Sequence, residues 1–294
     1  MTNAGLTLGL VAAVILWGGS NAGTKYVVAY WPPIWTGASR FLCAGLLSLC
    51  CLRWLGPVHP IGGALHRRLW LRGGLSLATY IVTFNWALRY TSVSHVALYL
   101  GAAPVWALLW EGAPERNWRT VQRYSAATLA LGGVVVLNQP ALARGSGAWF
   151  GELLGLAASL LWTNYSRQCR ALAGELSGAE ISAHTMWRAG MWLLPVGLFE
   201  LYPRGLIWRA NLAWVQTYCI VAGGVVTFAL WNRALRYWPA SQVLLFNNLI
   251  PLSTMTWAYF TLGESITPTF WLAMILVLAG VFLGQTVRAQ PAVK

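Results

Sequence analysis

The chain has 294 residues, 57% of them hydrophobic, with 20 basic and 7 acidic side chains and no aspartate. Soluble domains carry charge on about a quarter of their residues, against 9% here, so an ordinary soluble fold is excluded. The net charge of +13 does not point to nucleic acid, because the basic residues stand singly between long apolar stretches, as membrane topology requires.

A membrane-crossing helix needs about 20 mostly apolar residues. Stretches of that length fall at 5–25, 33–54, 71–89, 94–111, 122–139, 149–170, 181–202, 212–233, 240–262 and 268–287. Their length favours helices over a barrel, whose strands run about 10 residues and alternate in polarity. The first stretch lacks a basic n-region and a small-residue cleavage site, so it is read as a retained helix. The longest connections, 56–70 and 140–148, are rich in Pro and Gly and only long enough to turn the chain.

Taken in order, the spans carry candidate features. Trp17 and Asn21 in the first are one helical turn apart and share a face near mid-membrane. A polar side chain at that depth is costly alone, so Asn21 either faces a wet cavity or bonds a neighbouring helix. Arg40 in the second span and Arg188 in the seventh lie within about 10–12 Å of a span end by the 1.5 Å rise. They are read as snorkelling or capping groups, with a bound carboxylate as the alternative. Tyr80 and Phe84 in the third span and Tyr99 in the fourth offer an aromatic wall, or plain packing. Trp162 and Ser166 share a face in the sixth span, and Trp187 lies deep in the seventh. Pro104 in the fourth span and Pro251 in the ninth crowd the carbonyls of Leu100 and Asn247, so each helix bends there, as a moving hinge or a static kink. Asn247 stands where it can satisfy the freed carbonyl or touch a solute.

Most of the 19 tryptophans, including Trp31, Trp54, Trp70 and Trp208, sit at span ends, where indoles anchor the interface. The five cysteines are odd in number, form no C-x-x-C pair and fall in apolar stretches, so buried free thiols without metal are expected. No carboxylate occupies a span centre; Glu111 and Glu152 are at helix ends and Glu115 is in a loop. A carboxylate proton relay is therefore not expected, leaving the solute gradient itself or a titrating His95 or His184 as the driving device. The chain has no nucleophile elbow, phosphate loop or metal motif, which argues against an enzyme and against any cofactor.

With the N-terminus inside, thirteen basic residues fall on the cytoplasmic side and five on the other, placing both termini in the cytoplasm. The chain also repeats itself. Ala87-Leu88-Arg89-Tyr90 recurs as Ala234-Leu235-Arg236-Tyr237, and the same 147-residue offset aligns Pro104 with Pro251 and Gly133 with Gly280. With slips of a residue or two, Trp17 aligns with Trp162 and Arg40 with Arg188. Five spans per half is odd, so the second half enters the membrane from the opposite side, an arrangement of transporters with a site between the halves.

These features together, Trp17-Gly18 in the first helix, an arginine in helices two and seven, and the Ala-Leu-x-Tyr to Pro run through helices three to four and eight to nine, resemble the drug/metabolite transporter superfamily. Within it the chain is similar to EamA-type exporters over nearly its whole length, and its tryptophan-rich first half is similar to the aromatic amino-acid exporters of bacterial inner membranes. The resemblance implies an all-α membrane protein of ten helices, with five-helix repeats at 1–147 and 148–294 around a central cavity walled by helices one, three, four, six, eight and nine. It implies a monomeric inner-membrane exporter of aromatic and other neutral amino acids, with a drug or metabolite carrier as the alternative. On the residues, Trp17, Asn21, Tyr80, Phe84, Tyr99, Trp162, Ser166, Trp187 and Asn247 are the substrate candidates, and Pro104 and Pro251 the hinges.

Overall fold

The computed structural model describes residues 3–110, 118–143, 148–202, 205–238, 243 and 246–289, and every regular element among them is helical. α1 (Asn3–Val28) turns into α2 (Pro33–Leu55), whose first position is a proline, the residue whose fixed φ suits a helix start. α3 runs from 63 to 90 as Gly63–Arg68, a π-helical turn Leu69–Gly74, and Leu75–Tyr90. It starts earlier than hydropathy suggests, because the helix continues past its apolar part through Arg67 and Arg68; the connection after α2 is correspondingly shorter. α4 consists of Val93–Gly101 and Ala103–Trp110, interrupted at Ala102. α5 (Trp118–Ala143) and α6 (Ala148–Leu172) follow.

α7 (Gly178–Leu201) opens with a capping box of Ser177 and Glu180, each side chain bonding the other's backbone amide. α8 spans 210–237 and again holds a π turn, Val221–Val226, between Ala210–Ile220 and Thr227–Tyr237. α9 spans 246–262, with a 3-10 turn Phe246–Leu249 leading into Ile250–Leu262. It ends at Gly263, whose φ of +68° is the left-handed geometry glycine adopts without a Cβ clash. α10 is Pro268–Ala289.

Small residues set the closest helix contacts, as expected where lipid removes the hydrophobic drive for association. A Cβ on Gly45 of α2 would stand 2.3 Å from the Trp187 amide nitrogen of α7, and one on Gly190 of α7 would stand 2.5 Å from the Leu42 amide nitrogen of α2. α5 and α10 repeat the pattern: a Cβ on Gly133 would lie 2.7 Å from the Ala273 carbonyl oxygen, and one on Gly280 would lie 2.6 Å from that of Ala126. In both pairs the partner number falls as the other rises, so the helices run antiparallel. Gly18 of α1 approaches the backbone of Ser253 in α9 as closely.

Leu8, Phe199, Phe260 and Ile275 project outward, so large apolar side chains cover the outside of the bundle. That surface matches a lipid solvent. Among the described residues, Ala4–Val28, Pro33–Leu55 and Ala210–Ala234 are both long and apolar enough to cross a membrane. The cysteines are free, but Cys43, Cys50 and Cys51 are exposed on α2 and only Cys219 is fully buried. The expectation of burial fails because an apolar residue in such a bundle faces lipid as readily as core.

Candidate functional site

A cavity of about 730 Å³ lies inside the bundle, within the range of small-molecule sites. Its aromatic lining falls into two groups. On α1 and α8, Trp17 meets Phe228 edge-on at 5.3 Å; Trp231, 5.2 Å from Trp17, is not part of the lining. On α3 and α6, Tyr80 lies 5.0 Å from Trp162 and 5.5 Å from Phe84, and Trp162 lies 5.4 Å from Tyr165. Asn21, Thr163, Ser166 and Asn247 are neutral polar residues of the same lining. Asn21 Nδ2 donates to Thr254 Oγ1 at 3.1 Å, so this asparagine both ties α1 to α9 and borders the cavity.

α2 and α7 also contribute to the wall, through Arg40, Phe41, Ala44 and Met186. Arg40 is not a snorkelling group. It is 8% exposed and turns inward, donating from Nη1 to Thr24 Oγ1 at 2.7 Å and from Nη2 to Ser20 Oγ at 2.8 Å. Sequence position alone hid it, yet Ser20 and Thr24 stand one helical turn apart on α1 and are the signal for an inward guanidinium. Arg188, its repeat counterpart, is also interior but outside the cavity lining, 4.3 Å from the Trp187 ring and 5.6 Å from that of Trp70.

Of the nine expected solute residues, Trp17, Asn21, Tyr80, Phe84, Trp162, Ser166 and Asn247 line the cavity. Tyr99 and Trp187 do not. Tyr99 is fully buried, its hydroxyl donating to Glu152 Oε2 at 2.6 Å and its ring pressed on Gly155. Trp187 packs on Trp70 and Arg188 and lays its backbone on Gly45. Trp106 likewise is structural, bonding Ser159 Oγ at 2.9 Å.

Pro251 borders the cavity, and its γ-carbon lies 3.0 Å from where a Cβ on Gly101 would be. The Pro104 side chain lies outside the described residues, but its backbone is the second residue of the second segment of α4, which begins at Ala103. Each proline is thus the second residue of a helical segment that follows a local irregularity: α4 is interrupted at Ala102, and α9 changes from 3-10 to α just before Pro251.

The cavity reaches Arg170 in the last turn of α6 and Asn247 at the start of α9. The opposite end is stitched shut by polar contacts between helices. Lys25 Nζ donates to the carbonyls of Leu88 at 2.6 Å and Thr91 at 2.7 Å, and Arg89 Nη1 to that of Val28 at 2.8 Å. Glu264 accepts from the Val93 amide at 2.8 Å and the Ser94 hydroxyl at 2.7 Å, capping α4. His95 Nδ1 lies 2.8 Å from Glu152 Oε1. Neither His95 nor His184 reaches the cavity, and the described lining holds no carboxylate; Glu111 and Glu115 lie outside the described residues.

Around the connections at the Arg170 end, Glu180 pairs with His59 and Glu175 with Arg68. Burial pushes the Glu180 carboxyl up, but hydrogen bonds from Ser177 and His59 outweigh it and hold the group at about 2. Among the described residues no cluster of His, Cys, Asp or Glu is able to hold a metal ion.

The profile of the EamA-like transporter family matches residues 4–139 and, a second time, residues 149–284. The chain is similar to an uncharacterized transporter of Archaeoglobus fulgidus, with 23% identity over 280 residues covering 93% of this chain and 95% of that one. It is similar to the uncharacterized transporter YwfM of Bacillus subtilis, with 22% identity covering 94% and 92% of the two chains, and to YyaM of the same organism, with 24% identity covering 91% and 89%. A protein of known crystal structure superposes with a TM-score of 0.64 at 17% identity, over 99% of this chain and 100% of that one, a likeness of fold alone. On its two family matches, which together take in most of its length, the chain belongs to the EamA-like transporter family.

Proposed function

We propose that this membrane transporter carries amino acids, aromatic and other neutral ones with broad tolerance, out of the cytoplasm by alternating access as a uniporter. The observation that carries the reading is the cavity itself: two aromatic groups, a few neutral polar side chains, two arginines and no carboxylate among the described lining residues. Aromatic faces accept apolar side chains of many shapes, and a cavity without a titrating carboxylate gives protons no relay through it.

Alternating access rests on an inverted repeat of ten membrane helices, with five-helix units at 1–147 and 148–294. Supporting it, the Gly133 contact with Ala273 and the Gly280 contact with Ala126 are images of each other under the 147-residue offset, as are the Gly45 and Gly190 contacts under 145. Reciprocal contacts of this kind accompany a two-fold axis. Because both helix pairs are antiparallel, that axis lies across the helices, in the membrane plane. The aromatic pairs correspond more loosely, Trp17 with Phe228 and Trp162 with Tyr80, at offsets of 145 and 148 residues. By the count of basic residues the Arg170 end is cytoplasmic, so this conformation faces inward, with both termini in the cytoplasm of a bacterial inner membrane. The cavity is complete within one chain, which supports a monomer.

Binding of labelled phenylalanine to the purified protein tests the reading. Replacing Trp162 with alanine removes one aromatic wall, and affinity for phenylalanine should fall about tenfold, the weight of an aromatic pair plus its buried area. Affinity for alanine should change less than about threefold. Undetectable binding of any amino acid by the unaltered protein, with binding of a hydrophobic cation instead, would assign a drug carrier.

A further inference from the structure

Two cations line the cavity among the described residues. Arg170 stands in the last turn of α6, whereas Arg40 lies deeper, on α2. The partners that hold Arg40, the Ser20 and Thr24 hydroxyls, are neutral, and no carboxylate lies within ion-pairing distance of it among the described residues. A guanidinium has five N–H donors in a rigid fork, and those two bonds use only two of them. A buried cation without a counter-charge is costly and is normally paired.

Arg188, in the matching place on α7, shows the same group in a closed setting. Its Nη1 donates to the His184 carbonyl at 3.1 Å and its Nη2 meets His66 Nδ1 at 3.3 Å. Trp187 and Trp70 cover it with π-faces, although its Nε has no partner. At 2% exposure, Arg188 is sealed from the cavity that Arg40 borders. Ser20 and Thr24 thus take one donor on each Nη, the Phe41 ring lies 5.1 Å from Cζ, and the remaining donors of Arg40, at the border of the cavity, have no hydrogen-bond partner among the described residues.

We propose that Arg40 is the carboxylate-binding residue of the cavity, and that solutes of this transporter carry a free carboxylate. The inference rests on the amino-acid reading and sharpens it. The fork matches a carboxylate in two parallel hydrogen bonds, which positions the rest of the solute against Tyr80, Phe84 and Trp162. An ammonium group finds only neutral acceptors and aromatic faces in the described lining, so the carboxylate supplies the orientation.

The test is equilibrium binding to the purified full chain of two matched pairs: phenylalanine with phenylalaninamide, and hydrocinnamate with its amide. The unaltered protein should bind each acid at least tenfold tighter than its amide, the scale of a charge-assisted bond. Arg40→Gln should bring each acid to within about twofold of its amide while leaving the amide's affinity unchanged. Arg40→Lys keeps the charge but not the fork and should fall between. Equal binding of acid and amide by the unaltered protein overturns the proposal without any variant, and so does an Arg40→Gln protein that keeps the acid preference. Where Arg40→Gln does not purify as a single species, the unaltered ratio and Arg40→Lys decide. Arg40-dependent binding of hydrocinnamate with phenylalanine ignored keeps the role of Arg40 and rejects the amino-acid reading. Phenylalanine bound equally well with and without Arg40 does the reverse.

Discussion

Gly190→Leu should leave little or no folded transporter. The new Cβ would fall 2.5 Å from the Leu42 amide nitrogen and 2.7 Å from its α-carbon, both backbone atoms that no rotamer change moves aside. α2 and α7 would have to separate along the seam where Gly45 meets Trp187 and Gly197 meets Trp35. Ordinary overpacking costs about 1–3 kcal/mol; displacing a backbone seam belongs with the exceptional losses of about 4 kcal/mol or more. Gly132 has open space around its Cβ position and serves as the control. Thermal melting followed by size-exclusion chromatography should show Gly132→Leu close to the parent and Gly190→Leu aggregated. An unchanged melting temperature for Gly190→Leu would mean that α2 and α7 do not pack as described.

Pro104→Ala and Pro251→Ala should each slow transport by about tenfold or more while changing solute affinity by less than about threefold. Each proline stands second in a helical segment that follows a local break, and alanine restores the amide that lets a helix run through. The break at Ala102 and the start of the second α9 segment touch, since Pro251 sits against Gly101. Healing either break makes the open and closed arrangements harder to exchange without emptying the cavity, so turnover falls and binding remains. Turnover in proteoliposomes set against equilibrium binding separates the two quantities. Unchanged turnover in both variants would make the breaks static features of packing.

Much of this molecule is legible in its sequence because a bilayer imposes a crude and strong rule: about 20 apolar residues per crossing. The repeat was readable for the same reason, since Pro104 and Pro251 or Gly133 and Gly280 stand out against an apolar background. Depth along a helix could be read, so Trp17, Asn21 and Trp162 were placed at the cavity. Direction around the helix could not, because every face of a buried helix meets either another helix or lipid. Tyr99 and Trp187 have the right depth but turn toward Glu152 and toward Arg188. Arg40 turns inward for a different reason: distance to the span end suggests escape to the interface, whereas Ser20 and Thr24 on the preceding helix hold it inside. The π turns at Leu69–Gly74 and Val221–Val226 had one trace, the paired glycines 73–74 and 223–224. Those glycines let α3 approach Thr185 and Arg188 of α7, and α8 approach Ser20 and Ala44.

The most direct measurement is uptake of labelled Phe, Trp, Met, Thr, Lys and Glu into proteoliposomes holding the purified chain, with and without an imposed pH gradient. Saturable uptake of several neutral amino acids, indifferent to the pH gradient, is the result predicted for a broad uniporter with no carboxylate in its described cavity lining. Uptake that requires the gradient would contradict uniport, and uptake of none of the six would contradict the amino-acid reading itself.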